Sequence, residues 1–144
     1  MERALEYARL PSEAPEVLSK HRPKSSWPSQ GAVDFKDYST RYRPGLELVL
    51  KNVNLNIKAH EKIGVVGRTG AGKSSLTLAL FRIIEPATGH IAIDGLNTSS
   101  IGLLDVRRRL AIIPQDAALF EGTVRDNLDP AHVRDDTELW SVLG

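Results

Sequence analysis

The chain has 144 residues, a hydrophobic fraction of 41%, a charged fraction of 26% and a formal net charge of +1. That is length enough to bury a core, in an ordinary globular composition, and the near-neutral charge argues against a broad nucleic-acid-binding field. There is no cysteine, which excludes disulfides and thiolate metal sites, and the histidines (His21, His60, His90, His132) are scattered with no i, i+4 pair. They read as surface residues and not as metal ligands.

No apolar run approaches the roughly 18 residues needed to cross a bilayer. The opening "MERALEYARLPSEAPEV" has no cationic stretch followed by an apolar core, so it does not read as a signal peptide. By itself the sequence reads as soluble.

In chain order, "ERALEYARL" is a short helix candidate. Residues 11–31 follow, with Pro11, Pro15, Pro23 and Pro28 among serines and charges. That is linker composition, and the prolines forbid a continuous helix. The expected boundary falls near Gly31, giving a linker over 1–30 and a domain over 31–144.

Strand patterns come next. "AVDFKDY" alternates Val33 and Phe35 with polar positions. "KNVNLNIKA" puts Val53, Leu55 and Ile57 on one face and Asn52, Asn54, Asn56 and Lys58 on the other, as in an antiparallel strand with one wet face. "IGVVG", with Ile63, Val65 and Val66, is a continuous apolar run and predicts a parallel strand buried on both faces. Beyond it, Leu76, Ala79, Leu80, Ile83 and Ile84 fall on one helical face, with Pro86 and Gly89 expected to end the helix. "HIAIDG" predicts a short strand into an Asp-Gly turn. A short helix is expected over "GLLDVRRR", a buried strand over "LAII" stopped by Pro114, and a last helix in "DDTELWSVLG" with Asp135 or Asp136 as N-cap.

Between "IGVVG" and the helix, "GRTGAGKS" (Gly67 to Ser74) matches G-x-x-x-x-G-K-[ST] at every fixed position. Gly67, Gly70 and Gly72 let the backbone wrap closely, so that its N–H groups and the start of the helix make an anion site for a polyphosphate. Lys73 brings a point charge toward the β- and γ-phosphates. The Ser74 hydroxyl suits Mg²⁺, which keeps several waters and needs few protein ligands. Upstream, Tyr42 lies between Arg41 and Arg43 on a loop, where its ring can stack on a purine without reading the base edge.

"RYRPGLELVLKNVNLNI", "GRTGAGKSSLTLALFRIIE", "IGLLDVRRRLAIIPQD" and "LFEGTVRDNLDP" resemble the second nucleotide-binding domain of C-subfamily ABC transporters. That group includes the multidrug-resistance-associated proteins and the fungal vacuolar cadmium-factor type. The segment before Gly31 resembles the link from the last transmembrane helix to that domain. The resemblance implies an α/β fold: an incomplete P-loop NTPase, ABC-type ATPase core with an N-terminal antiparallel β subdomain. It implies ATP and Mg²⁺ as ligands. Tyr42 matches the adenine-stacking aromatic, and Gly67, Arg68, Thr69, Gly70, Ala71, Gly72, Lys73, Ser74 and Ser75 match the Walker A loop. Gln115 matches the Q-loop glutamine that contacts Mg²⁺ with Ser74. The implied partners are the first nucleotide-binding domain and the transmembrane domains of a parent transporter, at the cytosolic face of a vacuolar or plasma membrane. The implied activity is ATP-driven export of organic anions or glutathione conjugates.

The signature sequence, the Walker B aspartate with its catalytic glutamate, and the switch histidine of that family have no match in these residues. Asp94 is followed by Gly95 and reads as a hairpin turn, and Asp116 is reached through Pro114, which cannot continue a central strand. No catalytic residue is therefore assigned, and the expectation is negligible ATPase activity and poor solubility for this stretch alone. The alternatives are a non-catalytic ATP-binding or scaffolding module and a soluble P-loop kinase or GTPase. No N-K-x-D motif or arginine-rich lid run supports the last.

Overall fold

A computed structural model describes residues 12–114, 116 and 119–143. The helix expected over "ERALEYARL" and Gln115, expected to be the Q-loop glutamine, lie outside the described residues. The chain divides into two compact units, residues 1–111 and 112–144.

The first unit is built on a four-stranded antiparallel sheet in the order β2-β1-β3-β4. Its strands are β1 (Val33–Thr40), β2 (Leu50–Ile57), β3 (Pro86–Ile93) and β4 (Leu96–Asn97). The alternation read in β2 is realised: Val53, Leu55 and Ile57 are half-buried and the asparagines between them are exposed. β1 departs from strict alternation. Its pairing slips between Phe35 and Tyr38, where Asp37 takes a positive φ of 47°. The extra residue of this bulge puts Phe35 and Tyr38 on one face, their rings edge to face at 5.6 Å. Burial raises the Tyr38 phenol pKa above its ordinary value. Gly89 of β3, at φ +69°, crosses the bulge so closely that a Cβ there would lie 2.2 Å from the Lys36 carbonyl oxygen.

Phe35, Tyr38, Leu50, Ala79, Ile84 and Ile91 form the core between the sheet and α1 (Lys73–Leu80). The helix forms where its apolar stripe begins but ends earlier than that stripe suggests. Phe81 caps it, and Arg82 turns left-handed at φ 52°. The turn brings the Arg82 guanidinium into a buried site, where it donates to the carbonyls of Thr98 (2.8 Å) and Ile101 (2.9 Å) and to the Glu85 carboxylate. Ile84 still reaches the core, but from beyond the turn, and Ile83 is exposed. Pro86 and Gly89 belong to β3 and are not the stop of the helix.

Two other expectations are corrected. Neither "IGVVG" nor "LAII" is a strand. Ile63 and Val65 line an apolar hollow of about 150 Å³ with Phe35, Leu55, Leu76 and Leu80, whereas Val66 is 97% exposed. Ile113 is 96% exposed. A doubly buried strand needs a neighbouring strand and cover on both faces, and the described sheet pairs only antiparallel, mostly local strands. The Asp94-Gly95 turn is present between β3 and β4, both residues at positive φ, as a tight hairpin turn requires. α2 (Leu103–Arg107) lies within the stretch read as a short helix.

Among its described residues the proline-rich segment ahead of β1 has one 3₁₀ turn, Ser19–His21, yet side chains bind it to this unit. Trp27 is 8% exposed and joins Ile93, Ile101 and Val106 in a second core cluster. Arg22 pairs with Asp105 at 2.7 Å and Arg107 with Glu13 at 3.0 Å. The Asp94 carboxylate accepts the backbone N–H groups of Ser29, Gln30 and Ala32 at 2.7–2.9 Å.

The second unit holds α3 (Val124–Leu128) and α4 (Asp136–Leu143). Thr123 and Asp126 close a reciprocal capping box on α3, a helix the sequence reading did not foresee. Asp135 is the cap of α4, accepting the Glu138 N–H at 2.8 Å. Arg125 pairs with Asp136.

A candidate phosphate loop beside the ends of two strands

β1 and β2 build the site from below. The β1 strand ends at Thr40, two residues before Tyr42, and the Val49 N–H donates back to the Thr40 carbonyl at 2.9 Å. This closes the loop that carries Arg41, Tyr42 and Arg43. The start of β2 supports the phosphate loop directly. Gly72, at φ +89°, is packed so that a Cβ would lie 3.1 Å from Leu50 Cδ2 and 3.3 Å from the Val49 carbonyl oxygen. The positive φ favours glycine at position 72, and an added Cβ would press on Leu50 and Val49 by a few tenths of an ångström.

Gly67, Arg68, Thr69, Gly70 and Ala71 form an exposed loop, Gly72 and Lys73 are half-buried, and Ser74 is exposed. The Lys73 ammonium curls over the loop and donates to the carbonyls of Gly67 (2.7 Å) and Arg68 (2.8 Å). An ammonium has three donors, so one remains for an anion at the loop mouth. The leading N–H groups of an eight-residue helix have no partners within it and carry the positive end of its dipole. This donor set suits a polyphosphate. Among the described residues no group of three or more His, Cys, Asp or Glu could hold a metal ion. Hydroxyl and phosphate oxygens are hard ligands of the kind Mg²⁺ takes, and the exposed Ser74 is a hydroxyl of this kind on the loop.

The structure brings two of the sequence-selected residues into contact. The hydroxyls of Tyr42 and Ser75 are 2.8 Å apart, with Tyr42 half-exposed and Ser75 only 3% exposed. The two consecutive serines therefore differ: Ser74 opens to solvent, whereas Ser75 is turned inward to the tyrosine. Nothing in the spacing signals this pairing. A hollow of about 470 Å³ adjoins the Tyr42 loop, walled by Arg41, Tyr42, Arg43, Ile84 and Pro86; none of its lining residues belongs to the phosphate loop.

Residues 50–143 match the family model described as "ABC transporter", and the chain belongs to that family. It is a C-subfamily segment carrying the family's ATP-binding, nucleotide-binding module. Over 99% of its length it is 59% identical to the ATP-binding cassette transporter abc2 of Schizosaccharomyces pombe. It is 58% identical to the metal resistance protein YCF1 of Saccharomyces cerevisiae and 57% to ATP-binding cassette sub-family C member 3 of Rattus norvegicus, over the same share. These alignments cover 10%, 9% and 9% of the three relatives, so the chain spans about a tenth of their length. No helix of the described residues is long and apolar enough to cross a membrane.

Proposed function

We propose that residues 31–144 form part of the second nucleotide-binding domain of a membrane exporter, with residues 1–30 joining it to the transmembrane region. ATP lies with its phosphates in the Gly67–Ser75 loop and its purine against Tyr42. Lys73 neutralises the terminal phosphates, Ser74 supplies a hydroxyl to Mg²⁺, and Gln115 adds the Q-loop contact to the same ion. Mg²⁺, when bound, would offset phosphate charge; the chain's own part is to bind and orient the triphosphate.

The single observation that carries this reading is the Tyr42–Ser75 contact, which links the aromatic loop to the first turn of the phosphate-loop helix. One polyphosphate site and one base-stacking ring then belong to one ligand. By resemblance to the C subfamily, we propose that the parent transporter moves organic anions or glutathione conjugates outward or into a vacuole, working with a first nucleotide-binding domain and with transmembrane domains. The chain then sits at the cytosolic face of the membrane.

Titration of the chain with Mg·ATP tests the reading. Lys73→Ala and Tyr42→Ala are each expected to weaken binding at least tenfold, a loss of about 1.4 kcal/mol or more. Equal affinity in wild type and both variants would overturn it.

A further inference from the structure

α1 starts at the phosphate loop, and its far end is held by a side chain of α2. Where the chain turns, the N–H groups of Phe81, Arg82 and Ile83 satisfy the carbonyls of Thr77, Ala79 and Leu78. The carbonyls of Phe81 and Arg82 take their donors from Arg107, at 3.1 and 2.9 Å. The same guanidinium grips both oxygens of the Glu13 carboxylate, at 3.0 and 3.2 Å. Hydrogen bonds and charge from Arg107 hold the Glu13 carboxyl below its ordinary value, so the pair is ionised near neutral pH. Glu13 lies in the proline-rich segment, which continues against α2: the carbonyls of Pro15 and Glu16 accept the N–H groups of Leu103 (3.1 Å) and Leu104 (3.0 Å). One planar fork therefore serves both the leading segment and the end of the phosphate-loop helix.

From this geometry we infer that Arg107 is a positioning residue for the phosphate site and that Glu13 sets it, so that the leading segment steadies α1 from its far end. The inference rests on the nucleotide reading above and adds to it a second input, arriving from the segment ahead of β1. An eight-residue helix is about 12 Å long and moves as a unit, so freedom at one end is freedom at the other. A released α1 must be ordered again before its leading N–H groups meet the phosphates, and that cost is subtracted from affinity. By linkage, a nucleotide at the loop tightens the grip on the leading segment. Glu13 is 62% exposed, so the pair adds little to overall stability and its effect is read in binding.

The test measures Mg·ATP affinity, urea midpoint and amide exchange on the whole chain. Glu13→Gln removes the charge from an exposed side chain; Arg107→Lys keeps the charge but cannot serve a carboxylate and two carbonyls together. Glu13→Gln is expected to weaken Mg·ATP about threefold to fivefold with little change in urea midpoint, and Arg107→Lys by at least as much. Adding Glu13→Gln to Arg107→Lys should cost nothing more, because the carboxylate acts only through the guanidinium. In wild type, Mg·ATP should slow exchange of the Leu103 and Leu104 amides, and Glu13→Gln should abolish that slowing. Ser29 and Gln30, tied to Asp94 at the other end of the segment, control for a general gain in stability.

Wild-type affinity in Glu13→Gln would overturn the inference, as would a full additional loss in the double variant. Slowing of Ser29 and Gln30 equal to that of Leu103 and Leu104 would overturn it too, since it marks global stabilisation and no relay. If wild type does not bind Mg·ATP, or Lys73→Ala binds it as tightly, the nucleotide reading itself fails and the relay with it.

Discussion

The indole N–H of Trp27 donates to the carbonyl oxygen of Ile93 across 2.9 Å, joining a proline-rich segment to the end of the third strand. Both residues are buried, and Trp27 packs with Ile101 and Val106. Trp27→Ala removes a large buried ring and strands a carbonyl. It is expected to cost about 3–5 kcal/mol, read as a lower urea midpoint at unchanged slope. Trp27→Phe should cost less, since much of the packing remains.

Stability should respond to acid through Asp94. Burial alone would raise its carboxyl pKa, but the N–H groups of Gln30, Ala32, Ser29 and Gly31 outweigh that and hold it below its ordinary value of 3.8. The folded chain therefore takes up this proton less readily than the unfolded chain. The stabilisation is full above the ordinary value and is lost as pH falls through the lowered one. Asp94→Asn tolerates the same left-handed turn and cannot ionise. Its unfolding free energy should fall less steeply than that of wild type between about pH 5 and pH 3, measured by denaturant titration at several pH values.

Arg82 cannot be replaced by lysine without loss. Its planar guanidinium serves two carbonyls and one carboxylate from a site only 6% exposed. A lysine offers one ammonium and cannot reproduce that fork. Arg82→Lys should destabilise by about 2–3 kcal/mol, seen by thermal and urea unfolding.

Gly89→Ala should be among the costliest single-methyl additions in the chain. The new carbon would lie 2.2 Å from one carbonyl oxygen and 2.4 Å from the next, all of them backbone atoms that cannot swing away. A loss of about 2–4 kcal/mol is expected, with faster amide exchange in Lys36 to Tyr38.

Much of this architecture is legible in the sequence, and the limits are physical. β2 alternates because one face is wet, and that signal lies within one strand. The phosphate loop is legible because backbone wrapping demands glycines at fixed places. The start of α1 is legible, but its end is not. The apolar stripe continues to Ile84, whereas the chain turns at Arg82 to satisfy carbonyls that come from Thr98 and Ile101. The apolar runs at 63–67 and 110–113 carry the composition of central strands, but composition does not supply the neighbours that a strand must pair with. The segment before β1 reads as a linker because prolines and serines dominate it. The isolated tryptophan in "SSWPS" was the one sign that it is held down. The Tyr42–Ser75 contact was hidden because it joins residues far apart in sequence, and no local pattern encodes it.

Gly102 shows how that attachment is enforced. A Cβ at this position would lie 2.3 Å from the carbonyl oxygen of Glu16 and 2.8 Å from the Cα of Val17. The bareness of one residue is therefore the keyhole into which the leading segment fits. Inherited variation at this codon would first show itself as a loosened tether.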